Sequence, residues 1–433
     1  MPLFVRGALW LGLYAHLVLL PLIVAGHAMP LGVACGYLGF TIMALEFSLI
    51  SKVHSVSSAF GQDALQRFHR MMGLVATLLI AIHVALMLRA GYPFAWVNPI
   101  DAESPWAMRA GAVAMWAVFL LILLSLCRRL LAIPYQWWQF THGLLADAAI
   151  LLGLAHLILF GGFAAAAPMR VVLAGYAALT VGMRLWFKVA KPLRLWSRPW
   201  TLVANIAELG DSRTLVLEPA GHRGFVFEPG QFAWLNTGRT PFHRDRHPIS
   251  MSSPAYDEPG HPVAFTIKDF GDWSGQVVPT LEPGARIWVD GPYGVFSPDR
   301  DEGPAFVFIG GGAGITPLYS MCRTMALRED RRPVLLLFGG RDAASLTFRS
   351  QLDELSTQMN LRVIYVLEHP PANWTGETGY IDAALLRRYL PPRYQRCQYF
   401  VCGPEAMMDA IEQVLPAIGV PRSRVHTERF VII

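Results

Sequence analysis

Charged side chains are scarce in this sequence. Only 15% of its 433 residues are Asp, Glu, Lys or Arg, whereas about a quarter is usual in soluble proteins. Long runs contain none of these residues, among them Gly7–Leu45, Met71–Leu88 and Ala110–Cys127. Each run is about 18 residues or longer, enough for a helix to cross a hydrocarbon core of about 30 Å. From about Trp200 onward the composition is ordinary, so we predict a membrane half followed by a soluble half.

Cysteine is scarce as well, and the five cysteines form neither a CxxC motif nor a paired spacing. Their distribution argues against a disulfide framework, a zinc site and an iron–sulfur cluster. The net charge of +5 does not indicate a nucleic-acid-binding protein, because the basic residues lie where membrane topology would place them. No feature of the sequence indicates a partner subunit.

The apolar runs predict six membrane helices. Their expected ranges are Ala8–Val24, Leu31–Ile50, Phe68–Arg89, Ala107–Cys127, His142–Phe160 and Arg170–Phe187. Arg6 followed by an apolar run is also compatible with a signal peptide. The length of that run and the resulting number of helices favour a first helix that is retained in the lipid bilayer.

The distribution of positive charge predicts the orientation, because basic residues concentrate on the cytoplasmic side of a membrane protein. They lie before the first helix and after the second, fourth and sixth: Arg6, Lys52, Arg67, Arg70, Arg128, Arg129, Arg184, Lys188, Lys191, Arg194 and Arg198. The opposite loops carry few charges. We therefore expect a multi-pass protein of the inner or plasma membrane, with both termini and the soluble half in the cytoplasm.

Four histidines are arranged as two equal pairs on the third and fifth helices. His69 and His83 are 14 residues apart, and so are His142 and His156. Fourteen steps of about 100° return to within about 40° of the start and rise about 21 Å, so each pair shares one helix face. The two helices run in the same direction, so His69 should face His142 and His83 should face His156. Facing imidazoles suit six-coordinate haem iron; the alternatives are packing or proton-relay histidines.

The soluble half begins with short β-like runs separated by Gly and Pro, which predict a small antiparallel barrel. The runs are Leu202–Ala207, Thr214–Leu217, Phe232–Leu235, Val263–Ile267 and Ile287–Val289. After Pro304, strands and helices alternate, which predicts a parallel nucleotide-binding sheet. Its expected strands are Ala305–Ile309, Val334–Phe338, Arg362–Val366 and Gln398–Val401, with helices starting near Pro317, Ser345, Ile381 and Pro404.

Two segments of the predicted barrel contain groups that a flavin needs: a partner for N5, cover for the ring and a cradle for the pyrophosphate. One runs from Arg246 to Ser253, and the other runs from Phe265 to Ser274. A glycine-rich turn then follows the first strand of the predicted sheet, from Gly310 to Pro317. Glycines let a phosphate approach the backbone at a helix N-terminus, where we place Thr316 as the N-cap.

The order of these motifs resembles the NADPH oxidase and ferric reductase superfamily, in which a six-helix haem domain is fused to a ferredoxin-reductase-like flavin and nicotinamide module. The resemblance covers nearly the whole chain. Besides the four histidines, it is carried by His247–Ser250, Asp290–Gly294, Gly310–Pro317, Cys402–Pro404 and Glu428–Phe430. It implies residues 1–190 as the haem domain, 191–198 as a basic linker, 199–302 as an FAD-binding barrel and 303–433 as an NAD(P)-binding domain.

The resemblance also implies cofactors and site residues. The cofactors are FAD, two haem b groups and NADPH, with NADH as the alternative. Ser250 would bond flavin N5, Phe430 would stack on the flavin, and Cys402 would lie near the nicotinamide. The other implied cofactor-binding residues are His247, Pro248, Ile249, Lys268, Gly271, Asp272, Trp273, Ser274, Gly310, Gly312, Gly314, Thr316 and Gly403. Arg341 could bind a 2′-phosphate, whereas Asp342 beside it could favour a ribose hydroxyl.

These features predict a transmembrane enzyme that passes electrons from NAD(P)H to FAD, an inner haem (His69, His142), an outer haem (His83, His156) and an external acceptor. Oxygen, giving superoxide, is the first choice of acceptor, and a ferric chelate is the second. Two other classes remain open: a module that reduces a quinone or protein partner, and a non-redox membrane receptor or transporter with a nucleotide-sensing domain.

Overall fold

The computed structural model describes residues 3–26, 29–50, 56, 60–243 and 246–429. The chain forms two compact units that divide between Lys191 and Pro192. The first unit is helical, and the second contains both sheets. Each unit is described below by itself.

The membrane unit consists of long apolar helices. They are α1 (Leu3–Ala25), α2 (Leu31–Ile50), α3 (Gln62–Arg89), α4 (Trp106–Leu126), α5 (Tyr135–Phe160) and α6 (Ala167–Leu185), followed by a π-helical turn (Trp186–Ala190). A short helix, α7 (Lys191–Trp196), lies where the basic linker is predicted. Helices α3 and α5 begin six and seven residues before their predicted starts, because polar and aromatic residues extend each helix beyond its apolar run.

Within the described residues, five helical segments are long and apolar enough to cross a membrane. The remaining apolar helix is the described part of α2, Leu31–Glu46, which is shorter. The count of six membrane-crossing helices therefore stays a prediction. Bulky residues of α2, α5 and α6 pack together as the core of this unit, among them Tyr37, Phe40, Ile150 and Tyr176.

The second unit begins with an antiparallel barrel. Its strands are β1 (Trp200–Glu208), β2 (Ser212–Pro219), β3 (Phe232–Asn236), β4 (His247–Ser250), β5 (Val263–Lys268) and β6 (Arg286–Tyr293). Their order is β4-β3-β6-β1-β2-β5, and a bridge between Met251 and Phe265 joins the two ends. The predicted barrel is confirmed, but β4 was not predicted as a strand, although it carries the flavin motif.

A parallel sheet follows the barrel. Its strands are β7 (Phe306–Gly311), β8 (Val334–Gly340), β9 (Leu361–Leu367), β10 (Glu377–Thr378), β11 (Gln398–Cys402) and β12 (Val425–Thr427), in the order β10-β9-β8-β7-β11-β12. The helices are α8 (Ile315–Leu327), α9 (Arg349–Gln358), α10 (Ala383–Tyr389) and α11 (Glu405–Ala417). The strand order reverses at β7, so the switch point between β7 and β11 is where an open α/β sheet binds its ligand.

Two predicted helix starts were wrong. Helix α8 begins at Ile315 with Gly314 as its N-cap, so Thr316 is a buried residue inside the first turn and not the cap. The helix expected near Ser345 begins at Arg349. Ser345 instead closes a short 3-10 turn, in which its backbone N–H donates to the Asp342 side chain.

Candidate functional site

The four predicted histidines form two facing pairs in the membrane unit. The ring centres of His69 and His142 lie 6.2 Å apart with their planes at 67°. Those of His83 and His156 lie 6.5 Å apart with their planes at 72°. With a metal–nitrogen bond of about 2 Å, and about 1 Å from nitrogen to ring centre, two imidazoles on one iron have centres about 6 Å apart. Both pairs therefore have the separation that a shared iron requires.

A hydrogen bond at Nδ1 fixes each of the four rings. His83 contacts the carbonyl of Gly32 at 2.7 Å, and His156 contacts the carbonyl of Ala107 at 2.8 Å. A carbonyl only accepts, so Nδ1 carries the proton in both rings and Nε2 is the nitrogen with a lone pair. Metal-binding histidines commonly donate their second nitrogen in this way.

In the inner pair, His69 and His142, the Nδ1 atoms bond to side chains instead of backbone carbonyls. Nδ1 of His69 lies 2.5 Å from Oε2 of Glu46, and Nδ1 of His142 lies 3.2 Å from Oγ of Ser125. Ser125 Oγ donates its own proton to the carbonyl of Leu121 at 2.7 Å, so it accepts from His142. All four rings thus present the same nitrogen for coordination.

Glycines opposite the outer pair make room for its rings. A Cβ added at Gly36 on α2 would lie 2.8 Å from Nδ1 of His83, and one added at Gly111 on α4 would lie 2.7 Å from Nδ1 of His156. Both separations are shorter than real Cβ contacts. No sequence pattern singled out these glycines, because their importance depends on which helices pack together.

The donor set also restricts the kind of metal. Among the described residues, no group of three or more His, Cys, Asp or Glu side chains is placed to hold an ion. A site built from protein ligands alone usually needs three or four. A pair of histidines fits an iron whose four other ligands come from a porphyrin.

Two carboxyl groups of the membrane unit, those of Asp147 and Glu46, form polar contacts within it. Asp147 on α5 forms an ion pair with Arg184, whose Nη2 also donates to the carbonyl of Gly143 at 3.2 Å. Glu46 on α2 contacts His69 and accepts from the hydroxyl of Tyr14 at 3.2 Å. Glu46 therefore contacts the His69–His142 pair directly. The Asp147–Arg184 ion pair contacts Gly143, the residue that follows His142.

The barrel presents a buried hydroxyl, that of Ser250, with no partner among the residues that the structure describes. Ser250 is the last residue of β4, opposite Phe232 of β3, and is only 3% exposed. Its Oγ makes no hydrogen bond within the part of the chain that the structure describes. A buried polar atom costs free energy unless it is paired, so this hydroxyl fits a site in which a ligand atom such as flavin N5 completes the pairing.

Other predicted flavin residues come together around β4. The ring of His247 stacks on that of Trp273, with centres 3.9 Å apart and planes at 12°. Pro248 and Ile249 lie between His247 and Ser250, paired with Trp234 and Ala233 of β3. His247 and Trp273 therefore form a face-to-face aromatic stack beside the strand.

The segment predicted to hold the pyrophosphate forms the start of a helical stretch. Gly271 has a φ of 154°, and Ser274 Oγ accepts from the backbone of Phe270 at 2.8 Å. Asp272 precedes a π-helical segment, Trp273–Val277. Lys268, at the end of β5, places its Nζ 3.9 Å from the Cβ position of Gly312. The flavin segment and the glycine-rich turn thus approach each other within this unit, and Lys268 supplies a cation between them.

Arg246 is a site residue that the sequence did not single out. Its side chain is partly buried, Nη2 donates to the carbonyl of Pro241 at 2.7 Å, and burial lowers its pKa from the ordinary value while Asp290 and Tyr293 act to raise it. Tyr293 donates to Oδ1 of Asp290 at 2.8 Å, and its pKa is raised, first by burial and then by that carboxylate. Arginine stays charged at neutral pH in any case, so Arg246 is a fixed cation immediately before β4.

The residues predicted to bind the nucleotide lie at the switch point of the parallel sheet. Gly310 of the fully buried strand β7 pairs with Cys402 of β11, and Gly312 has a φ of +54°. A Cβ at Gly314 would lie 2.1 Å from the carbonyl oxygen of Cys402. Gly403 follows Cys402 at the same edge. The glycine-rich turn is therefore pressed against β11, and Thr316 lies in the first turn of α8, where a phosphate could meet the helix N-terminus.

The residue predicted to select the nucleotide is exposed. Nε of Arg341 lies 3.5 Å from Oδ2 of Asp342, with the arginine side chain 72% exposed. Oδ1 of Asp342 accepts from the backbone of Ser345. Asp342 thus contacts both Arg341 and the backbone of Ser345, and the side chain of Arg341 stays largely exposed after β8. Phe430 lies outside the described residues.

Two protein families match the chain. The ferric reductase like transmembrane component matches residues 35–154, and the oxidoreductase NAD-binding domain matches residues 308–413. This pair of domains is the architecture of the NADPH oxidase and ferric reductase superfamily. The predicted resemblance is confirmed, and so is a transmembrane helical region joined to ferredoxin-reductase-like domains. The first match contains His69, His83 and His142 and ends two residues before His156.

Curated relatives align with about half of the chain. The reductase component of propane 2-monooxygenase from Rhodococcus jostii is 31% identical over 51% of this chain and 60% of its own length. Ferredoxin–NADP reductase B from Sorangium cellulosum is 29% identical over 50% of this chain and 91% of its own. The FAD/NAD-binding domain of nitric oxide dioxygenase from Vibrio cholerae is 23% identical with a TM-score of 0.48, over 54% of this chain and 98% of that one.

The alignment thus spans less than two thirds of the Rhodococcus jostii relative. The domains and the relatives together make the chain a membrane oxidoreductase with a domain for a nicotinamide nucleotide.

Proposed function

We propose that this protein carries electrons from NAD(P)H through FAD and two haem b groups, across the membrane, to an acceptor on the far side. The proposal rests on one observation: histidines of α3 and α5 face each other at two levels, and all four rings are fixed through Nδ1. The pairs are 14 residues apart on both helices, a rise of about 21 Å. Two sites at that separation cover most of the hydrocarbon core.

The soluble unit supplies the groups that would receive hydride. A flavin can take two electrons as hydride and pass them on singly, which joins a nicotinamide to haem. Ser250 would donate to N5, His247 and Trp273 would support the ring, and Lys268 would neutralise phosphate charge. The turn from Gly310 to Thr316 would hold the nucleotide phosphates, and Cys402 and Gly403 would line the nicotinamide side. Arg341 supports NADPH over NADH, because its guanidinium is exposed where a 2′-phosphate would lie.

The orientation follows from charge. Basic residues mark the end of the membrane unit that holds His69 and His142: Arg67 and Arg70 within α3, Arg128 and Arg129 after α4, and Arg184, Lys188 and Lys191 from the last turn of α6 onward. The positive-inside rule places this end in the cytoplasm, together with both termini and the soluble unit. His69 and His142 would then hold the inner haem, and His83 and His156 the outer one, in the inner or plasma membrane.

An absorption spectrum of the purified protein, oxidised and after NADPH, tests the proposal. We expect two haems and one flavin per chain, with both haems reduced by NADPH. His69→Ala and His83→Ala should each remove one haem component. His16→Ala, on the exposed face of α1, is the control and should retain both. A protein without haem absorbance would contradict the proposal and favour a non-redox receptor or transporter.

The acceptor is a separate part of the proposal. We propose oxygen, giving superoxide, with a ferric chelate as the second candidate because the matched family is described as ferric reductase like. NADPH oxidation should be accompanied by cytochrome c reduction that superoxide dismutase inhibits. Rapid reduction of a ferric chelate without superoxide would select the second candidate. Activity with a quinone alone would identify an electron-transfer module.

A further inference from the structure

The four histidines differ in the charge of the group that holds Nδ1. His83 and His156 donate to backbone carbonyls, and His142 donates to a hydroxyl. His69 alone of the four faces a carboxyl group, Oε2 of Glu46 at 2.5 Å. The two proposed haem sites are therefore unequal, and the inequality lies in one residue of α2.

The position of Glu46 is energetically unfavourable for an ionisable side chain. It is 6% exposed within a unit of apolar helices, where an ionisable group is costly unless it is paired and hydrogen-bonded. Among the described residues, its hydrogen-bond partners are Tyr14 and His69. Tyr14 contacts Oε1 and His69 contacts Oε2, so the two partners bind different oxygens of the carboxyl group.

A carboxylate that accepts from Nδ1–H increases the basicity of Nε2, because it draws the proton and leaves electron density on the ring. A more basic axial imidazole stabilises ferric iron relative to ferrous iron. Hydrogen bonds beyond the iron ligands are one of the ways in which a protein sets a haem potential. Neutral acceptors such as the carbonyls of Gly32 and Ala107 have the same effect to a smaller degree.

We propose that Glu46 is a positioning residue that lowers the reduction potential of the inner haem relative to the outer haem. The inference rests on the proposed haem ligation by the four histidines. With the inner site at the lower potential, an electron that reaches it moves spontaneously to the outer site. Glu46 thereby favours electron transfer in one direction, from the His69–His142 site to the His83–His156 site.

The test is a redox titration of the haem spectrum in the purified full-length protein, wild type against Glu46→Gln. Glutamine keeps the size of the side chain and removes its charge. We expect two haems per chain and one of the two midpoint potentials to rise. The expected change is on the order of tenfold in the redox equilibrium constant, or about 59 mV for one electron. Tyr14→Phe is the matched control, since it removes a contact of the same carboxyl group but leaves the bond to His69, and both potentials should stay near wild type.

A second variant identifies the haem whose midpoint potential has shifted. Gly111→Ala crowds His156 and should alter only the outer component. Glu46→Gln must shift the other component. Loss of that component alone would show a role in haem retention instead and would overturn the proposed effect on its potential.

Two retained haems with unchanged midpoints would overturn the inference while leaving the proposed function intact. A shift in the component that Gly111→Ala alters, or loss of both haems from Glu46→Gln, would overturn it too. A wild-type protein without haem would contradict the proposed function itself, and the inference with it.

Discussion

Ser250 is the residue on which the proposed hydride step depends most directly. Its hydroxyl is buried and lacks a partner within the described residues, so removing it should leave the barrel intact. We expect Ser250→Ala to bind flavin and to accept hydride from NADPH about tenfold more slowly, because a hydrogen bond of about 1 to 1.5 kcal/mol is lost at N5. The measurement is the rate at which NADPH bleaches the flavin absorbance without oxygen.

Ser252 provides the matched control. It is equally buried, but its Oγ accepts from the hydroxyl of Thr266 at 2.8 Å. Ser252→Ala should lower the free energy of unfolding by about 1 kcal/mol and leave the rate of flavin reduction near wild type. Equal rates in Ser250→Ala and wild type would show that the hydroxyl does not contact the reacting atoms.

Gly111 allows a prediction of the opposite kind. Gly111→Ala should favour the helix and yet abolish the outer haem site. Alanine favours a helix over glycine by about 1 kcal/mol, so helix propensity alone would make Gly111→Ala harmless. Its Cβ, however, would lie 2.7 Å from Nδ1 of His156. We expect this variant to lose the outer haem and keep the inner one, as measured by haem content per chain.

Gly73→Ala separates crowding from any general effect of alanine. Gly73 lies on α3, the helix of His69 and His83, and a Cβ there would meet nothing within 4 Å. Both haems should remain in this variant. If Gly111→Ala also kept both, the space beside His156 would not be occupied as proposed.

At the scale of elements, the junction between the glycine-rich turn and β11 is the tightest point of the nucleotide domain. A Cβ at Gly314 would lie 2.1 Å from the carbonyl oxygen of Cys402 and 2.6 Å from the backbone nitrogen of Gly403. Both are backbone atoms of a buried strand and its continuation, so they cannot give way. We expect Gly314→Ala to lower the free energy of unfolding by about 1 to 3 kcal/mol and to raise the KM for NADPH.

Gly312→Ala isolates the effect of crowding from that of backbone strain. Gly312 has a φ of +54°, and among the described residues a Cβ there would meet Nζ of Lys268 alone within 4 Å, at 3.9 Å. A side chain in that left-handed conformation costs roughly 1 kcal/mol. Chemical denaturation should therefore rank Gly314→Ala as the less stable variant, and the reverse order would contradict the contact with Cys402.

The sequence predicted elements better than the contacts between them. Apolar runs and alternating strands gave the layers of both units, and equal spacing predicted which histidines face each other. Helices α3 and α5 extend beyond their apolar runs, because hydropathy marks the part of a helix that lies in lipid and not its full length. Strand β4 was missed because four residues with a proline show little periodicity.

The residues that complete each site were not predictable. Glu46 is 23 residues from His69, Gly36 is 47 residues from His83, and Ser125 is 17 residues from His142. Each acquires its role only when two helices pack in one register, which a single sequence does not specify. Arg246 was visible in the flavin motif, but only the structure shows it buried beside Asp290 and Tyr293.

At the scale of the whole molecule, the chain separates its two kinds of chemistry into two units. All proposed haem ligands lie before Lys191, and every proposed flavin and nucleotide residue lies after Pro192. The second unit has its own cores: one inside the barrel, around Trp200 and Phe265, and one on each face of the parallel sheet. Domains with their own core fold independently as a rule.

We therefore expect residues 192–433, produced alone, to fold, bind FAD and transfer electrons from NADPH to a soluble dye at a rate comparable to that of the full chain. Reduction of an acceptor on the far side of a vesicle membrane should require the complete protein. Full-length His69→Ala is the matched control, since it should retain dye reduction and lose transmembrane transfer. If the isolated unit folded but bound no flavin, the membrane unit would have to contribute part of the flavin site, and the division of cofactors at Lys191 would be wrong.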